Sequence, residues 1–156
     1  MILPCTSCPM IRSHPAAPSQ SAYFRPILPV FVTGPTGGHL FDGLIDTGSD
    51  DIVFPDSAAV RLGLDLKSAV SRRVGLAGRP TMTVQYAILD LRITDGRSEV
   101  YDWTTFVGFA PVSLSRVLLG TLGFLEFFDF TLRRSSREFE LVANSTFTGT
   151  RPSISG

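Results

Sequence analysis

Residues 41–51 read FDGLIDTGSDD, and this stretch decides how the rest of the chain is interpreted. The apolar residues up to Ile45 predict a strand, and Asp46 follows it directly on a tight turn formed by Thr47 and Gly48. Gly48 permits a sharp turn and a close approach of a partner segment. A carboxylate at this point would stand at the protein surface in a preorganised setting. The alternative is an ordinary turn, because Asp, Thr and Gly are common turn residues.

The sequence around this turn predicts short strands. Residues 27–33 and 39–45 predict a strand pair joined by the glycine-rich turn at 34–38, and Pro29 favours an edge position for the first strand. Residues 52–54 predict the strand that leaves the turn. The hairpin therefore delivers the chain directly to Asp46.

Further along the chain, the pattern predicts one clear helix and several more strands. The predicted elements are a helix that Asp56 can cap and that Gly63 ends after Leu62, strands at 70–74 and 82–93, a two-residue hairpin turn at 95–96 before a strand at 97–106, a strand at 117–119, a short helix at 121–127, and a closing hairpin of 130–132 with 139–142. Residues 1–22 are rich in Pro and Ser and predict a flexible N-terminal arm. We expect one folded domain at 23–142 and a C-terminal tail at 143–156.

The composition favours a folded domain without a nucleic-acid or membrane partner. Apolar residues make up 44% of the chain, and 14 basic residues balance 14 acidic ones. Without a basic face, nucleic-acid binding is not expected, and the arginine pairs at 72–73 and 133–134 are predicted to be solvated strand or turn ends. The apolar stretch 117–130 is shorter than the roughly 20 residues of a spanning helix. No signal-peptide pattern is visible, so we expect a cytoplasmic protein.

Cys5 and Cys8 form a Cys-x-x-Cys pair in the predicted arm. A zinc site would need four ligands, and only His14 and His39 remain to supply the other two. A redox motif would need a strand-to-helix context, which the arm lacks. We therefore predict a reduced pair and no metal site.

Three segments together resemble the retropepsin-like aspartic proteases. Residues 46–51 (DTGSDD) resemble their active-site segment, and residues 117–120 (VLLG) resemble the apolar-apolar-Gly stretch that they place behind the active-site loop. Residues 74–86 resemble their glycine-rich flap hairpin, and the similarity covers roughly residues 26–142. The resemblance implies an all-β fold. It would be a closed acid-protease β-barrel with one or two short helices and a β-hairpin flap, with the active site at a two-fold dimer interface.

The chemistry of this family needs two carboxylates that share a proton, and the chain has one Asp-Thr-Gly. A two-fold homodimer would supply Asp46 from each subunit. One Asp46 would act as base toward a water, while the other would donate to the scissile carbonyl and then help to protonate the leaving nitrogen. No metal or organic cofactor is needed. We expect an aspartic endopeptidase that cleaves extended, apolar peptide segments, since Ile52 and Val53 would line the groove. The alternative is a non-catalytic dimerisation or peptide-binding module.

The resemblance also implies roles for the neighbours of Asp46. Thr47 would bond across the dimer axis beneath the two acids, and Ser49 would donate to the outer oxygen of Asp46. Each could instead be a simple turn residue. Asp50 and Asp51 resemble acids that bind the substrate main chain near the active site.

The sequence near the predicted site departs from the retroviral pattern at one position and contains a predicted flap. Many retroviral enzymes continue the apolar-apolar-Gly segment with Arg-Asn, whereas this chain has Thr and Leu at 121–122, so an arginine partner for Asp50 is missing there. Flap contacts to substrate are assigned to Leu76, Ala77 and Gly78, beside a loop that Pro80 stiffens. A rigid surface hairpin is the alternative to a flap.

Overall fold

The computed structural model describes residues 1–12, 14–75 and 81–153. Its elements, in chain order, are β1 (Ile2–Pro4), β2 (Thr6–Pro9), β3 (Ala22–Arg25), β4 (Ile27–Gly34), β5 (Gly37–Ile45), β6 (Val53–Pro55), α1 (Asp56–Leu62), β7 (Val70–Val74), β8 (Met82–Thr94), β9 (Val100–Ala110), β10 (Val117–Leu119), β11 (Phe128–Arg133) and β12 (Glu138–Ala143). None of the helices in this described part is long and apolar enough to cross a bilayer.

Six strands close into a barrel. Their order around it is β4, β5, β10, β6, β9 and β8, and β4 pairs again with β8 to complete the ring. β7 extends the sheet beyond β8. Residues alternate between the core and the surface along β4, where Leu28, Val30 and Val32 are fully buried and the residues between them are exposed. The prediction of a mainly β, closed barrel is therefore confirmed.

Pro29 lies where β4 has a neighbour on one side alone. β4 pairs with β5 from Ile27 to Gly34, but with β8 only from Phe31 to Thr33. A proline has no N–H to donate, so it fits a strand where one ladder is missing. The edge position expected for this strand is a property of one end of β4.

β10 lies between the two strands that flank Asp46. It runs parallel to β5, with Leu119 opposite Ile45, and antiparallel to β6, with Leu118 opposite Val53. The chain from 46 to 52, called here the Asp46 loop, must therefore pass around the end of β10. This topology brings residues that are more than 70 positions apart into contact, and it places the 117–120 segment behind the loop as the resemblance implies.

The helix α1 forms where it was predicted. Ala58, Ala59 and Leu62 are buried, and Gly63 ends the helix in the left-handed conformation with φ 73°. Asp56 is not the N-cap, however, because Pro55 occupies that position without a side-chain cap bond. Asp56 instead lies in the first turn, where its charge complements the helix dipole.

The predicted short helix at 121–127 is wrong. This segment forms turns in which the Leu125 amide donates to the Gly120 carbonyl and the Glu126 amide donates to the Thr121 carbonyl, each five residues back. Gly123 has φ 87°, a left-handed conformation that interrupts a right-handed helix. Among the described residues, α1 is therefore the one α-helix.

The predicted two-residue turn at 95–96 is a longer loop. Residues 95–99 connect β8 to β9, because the Asp95 side chain organises a wider turn. Its Oδ1 accepts bonds from three amides, those of Arg97, Ser98 and Glu99, each at 2.9 Å. These bonds lower the pKa of Asp95 well below its usual range.

Both ends of the chain contain pairing where an arm and a tail were predicted. β11 pairs with β12, which confirms the predicted closing hairpin, and β1 adds to β12 as the third strand of this sheet. β2 pairs with β3. Met1 is buried among the core residues. At the other end, Phe147 stacks edge-on against Tyr101, and Thr150 pairs with Asp102. The composition of these segments did not indicate the partners that tertiary packing provides.

Candidate active site

Asp46 stands at the end of β5 and is held by backbone groups. Its amide donates to the Leu119 carbonyl at 3.1 Å, and its carbonyl accepts from the Ser49 amide at 3.1 Å. The carboxylate accepts from the Gly48 amide at 3.0 Å through Oδ1. The carboxylate is therefore oriented by its own turn.

The segment after β10 supports the Asp46 loop from behind. The Thr121 amide donates to the Ser49 carbonyl at 2.9 Å, and the Leu122 amide donates to the Asp50 carbonyl at 2.8 Å. A Cβ atom at Gly120 would lie 2.3 Å from the carbonyl oxygen of Asp51, so only glycine permits this approach. Together these contacts fix the backbone of the loop before any ligand arrives.

Ser49 makes a different bond from the one expected. Its hydroxyl donates to the Asp51 carbonyl at 2.8 Å. A hydroxyl has a single hydrogen to donate, so within one subunit this bond replaces the expected bond to Asp46. Ser49 thus supports the loop itself. Thr47 is exposed in the single chain, and its predicted role across a dimer axis stays a prediction.

Asp50 and Asp51 have different surroundings. Asp50 is exposed, whereas the Asp51 side chain is only 14% exposed. Oδ2 of Asp51 accepts from the Arg72 guanidinium at 2.7 Å and from the Tyr86 hydroxyl at 2.9 Å. Burial, and then the hydrogen bond to Asp51, raise the pKa of Tyr86. The acidic pair therefore has an arginine partner, but it binds Asp51 and comes from β7.

Sequence reasoning missed Arg72 and Tyr86 as site residues. Arg72 was predicted to be a solvated strand end, and its side chain is in fact half exposed. The one signal in the sequence was Thr121, which stands where an arginine was expected and so implied that another basic residue would pair with the acids of the loop. Nothing in the local sequence indicated which of the other arginines would replace it.

A cleft of about 620 Å³ opens beside the Asp46 loop. The loop residues 48–51 form its polar side, and its apolar side is formed by Val53, Val74, Met82, Val84, Leu114 and Leu118. β7 and β8, which flank the predicted flap tip, pair antiparallel with Val74 opposite Met82. The predicted contact residues Leu76, Ala77 and Gly78 lie outside the described residues. Within the described part of the chain, no group of three or more His, Cys, Asp or Glu side chains is arranged to hold a metal ion.

Comparison with known proteins agrees with this geometry. The family model described as aspartyl protease matches residues 32–121, which extend from β4 to just beyond Gly120. Among solved structures, a similar fold is found in the crystal structure of a retropepsin-like aspartic protease from Rickettsia conorii, with 21% sequence identity and a TM-score of 0.52. That match covers 74% of this chain and 80% of the other. No curated protein matches.

The matched segment is more than half of the chain and contains both the Asp46 loop and the β10 segment behind it. The barrel around them is also the fold of the retropepsin-like structure. These findings support a protease-type function, and the chain belongs to the aspartyl protease family, with a retropepsin-like fold.

Proposed function

We propose that this protein is a homodimeric aspartic endopeptidase in which each subunit contributes Asp46 to one active site. The observation that carries the proposal is the Asp46 loop, in which the Leu119 carbonyl holds the Asp46 backbone and the Gly48 amide holds its carboxylate. One carboxylate cannot act as both base and acid toward the same peptide bond. Because the sequence contains a single Asp-Thr-Gly, a second subunit must supply the other.

The reaction then follows from the shared proton of the pair. Two carboxylates about 3 Å apart do not both ionise readily, so the pair holds one proton. The ionised Asp46 removes a proton from a water, which attacks the carbonyl carbon. The protonated Asp46 donates a hydrogen bond to the carbonyl oxygen and then gives its proton to the leaving nitrogen. The peptide bond is hydrolysed without a covalent intermediate.

The cleft supports a preference for extended, apolar peptide segments. Its apolar side includes Val53, Val84 and Leu118, which lie on strands, so an extended chain can lie along them. Its polar side carries the exposed carboxylate of Asp50, which can accept hydrogen bonds from main-chain amides. A helical segment would hide those amides and would not fit this arrangement.

The proposal is tested with the purified protein and an unstructured protein substrate at mildly acidic pH. We expect cleavage that pepstatin inhibits, and a molecular mass of two chains by light scattering. Asp46→Asn should reduce the rate by at least about 10⁴-fold, because the base is lost from both subunits. Asp42→Asn is the matched control, since it removes an exposed carboxylate four residues earlier on β5.

The outcomes separate the enzyme from a non-catalytic module. A proven dimer that cleaves no substrate between pH 3 and 7 would contradict the enzyme and favour a dimerisation or peptide-binding module. If Asp46→Asn cleaves as fast as Asp42→Asn, the activity belongs to another site or another protein.

A further inference from the structure

Both strands of the β7–β8 hairpin are bonded to one carboxylate of the Asp46 loop. Oδ2 of Asp51 accepts from Arg72 on β7 at 2.7 Å and from Tyr86 on β8 at 2.9 Å. The donors come from 21 and 35 residues further along the chain. A hydrogen bond to an ionised carboxylate is charge-assisted and roughly twice as strong as one between neutral groups. Asp51 is therefore the point at which three elements meet.

The backbone of Asp51 is itself fixed. Its carbonyl accepts from the Ser49 hydroxyl at 2.8 Å, and its main chain forms a parallel bridge with Leu122. The close approach of Gly120 blocks movement of this carbonyl toward β10, where a Cβ atom would meet it at 2.3 Å. The carboxylate thus projects from a rigid base, as a positioning group must.

The hairpin that Asp51 holds is one wall of the cleft. Arg72 and Val74 on β7 face the cleft, as do Met82 and Val84 on β8, and Tyr86 is the next residue on that face of the strand. On its other side, the Asp51–Arg72 pair lines a second cavity of about 270 Å³. The ion pair therefore separates the cleft from this outer cavity and sets the distance between the wall and the loop.

We propose that Asp51 is a positioning residue that, through Arg72 and Tyr86, fixes the β7–β8 wall of the cleft relative to the Asp46 loop. This inference rests on the proposed function of the cleft. It gives Asp51 a role inside the protein in place of the predicted bond to the substrate main chain. The raised pKa of Tyr86 agrees with it, because burial and the bond to Asp51 both favour the neutral phenol.

The consequence is a division of labour between two neighbouring carboxylates. Asp46 is held by Leu119 and Gly48, so its position does not depend on the hairpin. Loss of the Asp51 bonds should therefore displace the apolar wall and weaken substrate binding, while the geometry of the reacting group is kept. In kinetic terms, KM should rise more than kcat falls.

The first test is hydrogen exchange of the dimer without substrate. In Asp51→Asn, which keeps the size of the side chain, we expect the amides of β7 and of residues 82–86 to exchange about tenfold faster, as for loss of hydrogen bonds to a charged group. Tyr86→Phe, which removes one hydroxyl, should give a smaller change of about threefold in the same segment.

Two matched controls accompany these variants. The bonds from Arg72 and Tyr86 to Asp51 are called here the clamp. Asp42→Asn removes a carboxylate outside it. Arg73→Gln removes the neighbouring arginine, whose guanidinium donates to Thr81 within the hairpin and not to the Asp46 loop. Neither should reproduce the change in residues 82–86. If Asp51→Asn leaves exchange in both strands within twofold of the unaltered protein, the clamp is refuted.

The second test measures the phenol of Tyr86 by its absorbance during alkaline titration, with Tyr86→Phe to assign it and Tyr23→Phe as the control. Asp51→Asn should lower the pKa of Tyr86, because the negative charge and the accepted bond are lost. An unchanged Tyr86 titration would contradict the clamp.

Neither measurement needs catalysis, so the clamp and the proposed function can fail separately. If the protein proves inactive, exchange and titration still decide whether Asp51 holds the hairpin. If it is active, a rise in KM with normal exchange and normal Tyr86 titration would mean that Asp51 contacts substrate directly, and the clamp would be rejected.

Discussion

Replacing Gly120 by alanine tests how closely the chain is packed behind the Asp46 loop. The new Cβ would meet three backbone atoms, the carbonyl oxygens of Asp51 and Ser49 at 2.3 and 2.5 Å and the carbonyl carbon of Asp51 at 2.8 Å. Backbone atoms cannot rotate away as a flexible side chain can. Contacts below 3.0 Å essentially never occur for a real Cβ, so the loop must move by about 0.7 Å at its closest point.

The magnitude follows from what that movement disturbs. The amides of Thr121 and Leu122 donate to the loop on the same side, at 2.9 and 2.8 Å, and both bonds would be stretched. Forcing an extra methyl group into a packed site costs about 1–3 kcal/mol, so we expect the upper half of this range for Gly120→Ala. For a chain of this size that corresponds to a fall in Tm of roughly 4–12 °C.

Activity should fall further than stability suggests. A displacement approaching 1 Å at a catalytic group can reduce the rate by about 100-fold, and Asp46 belongs to the displaced loop. The assay compares thermal unfolding and peptide cleavage for Gly120→Ala and for the unaltered protein. Gly75→Ala is the stability control, because no atom of the described residues lies within 4 Å of its added Cβ. It should be neutral or stabilising by up to about 1 kcal/mol.

Unchanged stability and activity of Gly120→Ala would contradict close packing behind the Asp46 loop. If Gly120→Ala unfolds within 1 °C of the unaltered protein and keeps its activity, the loop yields without cost. The view that the 119–122 segment preorganises Asp46 would then be wrong.

Two further predictions concern the frame around the site. Trp103 is buried, and its indole N–H donates to the Gly123 carbonyl at 2.9 Å. Trp103→Phe should therefore lower the free energy of unfolding by about 2–4 kcal/mol, because the hydrogen bond is lost and a cavity is left. Urea unfolding followed by far-ultraviolet circular dichroism measures this change, and an unchanged midpoint would contradict it. Three amides lower the pKa of Asp95 in the folded state. Its ionised form therefore stabilises the folded state at pH values above the ordinary carboxyl pKa of about 3.9. This stabilisation is lost as the pH falls from about 3.9 toward the lower pKa of the folded state. Asp95→Ala should therefore lower the urea midpoint at pH 7 and lower it less at pH 3, and an equal loss at both pH values would rule out the charge as the cause.

Local sequence was most informative where local physics decides the structure. Apolar residues between turn signals identified β4 and β8, and the helix α1 began and ended where its composition and Gly63 predicted. The prediction of a helix at 121–127 was wrong because the conformation of Gly123 overrides a sequence that is otherwise compatible with a helix. The prediction of a two-residue turn at 95–96 was wrong because the Asp95 side chain binds three amides at once, which a two-residue motif does not reveal.

The candidate site divides in the same way. The choice of Asp46, and the hypothesis that a second subunit supplies the other carboxylate, follow from the resemblance around a single Asp-Thr-Gly, and the apolar-apolar-Gly segment indicated what lies behind it. The partner of Asp51 did not follow, because arginines occur at many positions and only the folded chain brings Arg72 to this one. The bond of Ser49 to the Asp51 carbonyl was likewise set by the shape of the loop.

The amino-acid sequence alone is enough to establish a β-rich domain with a carboxylate on a tight turn after a strand. Those properties depend on the order of apolar and turn residues, which local conformational preferences convert directly into strands and turns. The folded chain is needed to see that β10 lies between β5 and β6, that Gly120 packs against the Asp46 loop, and that Asp51 is held by Arg72 and Tyr86. Each of these contacts joins residues far apart in the chain, and the close packing of the whole barrel selects which of them meet.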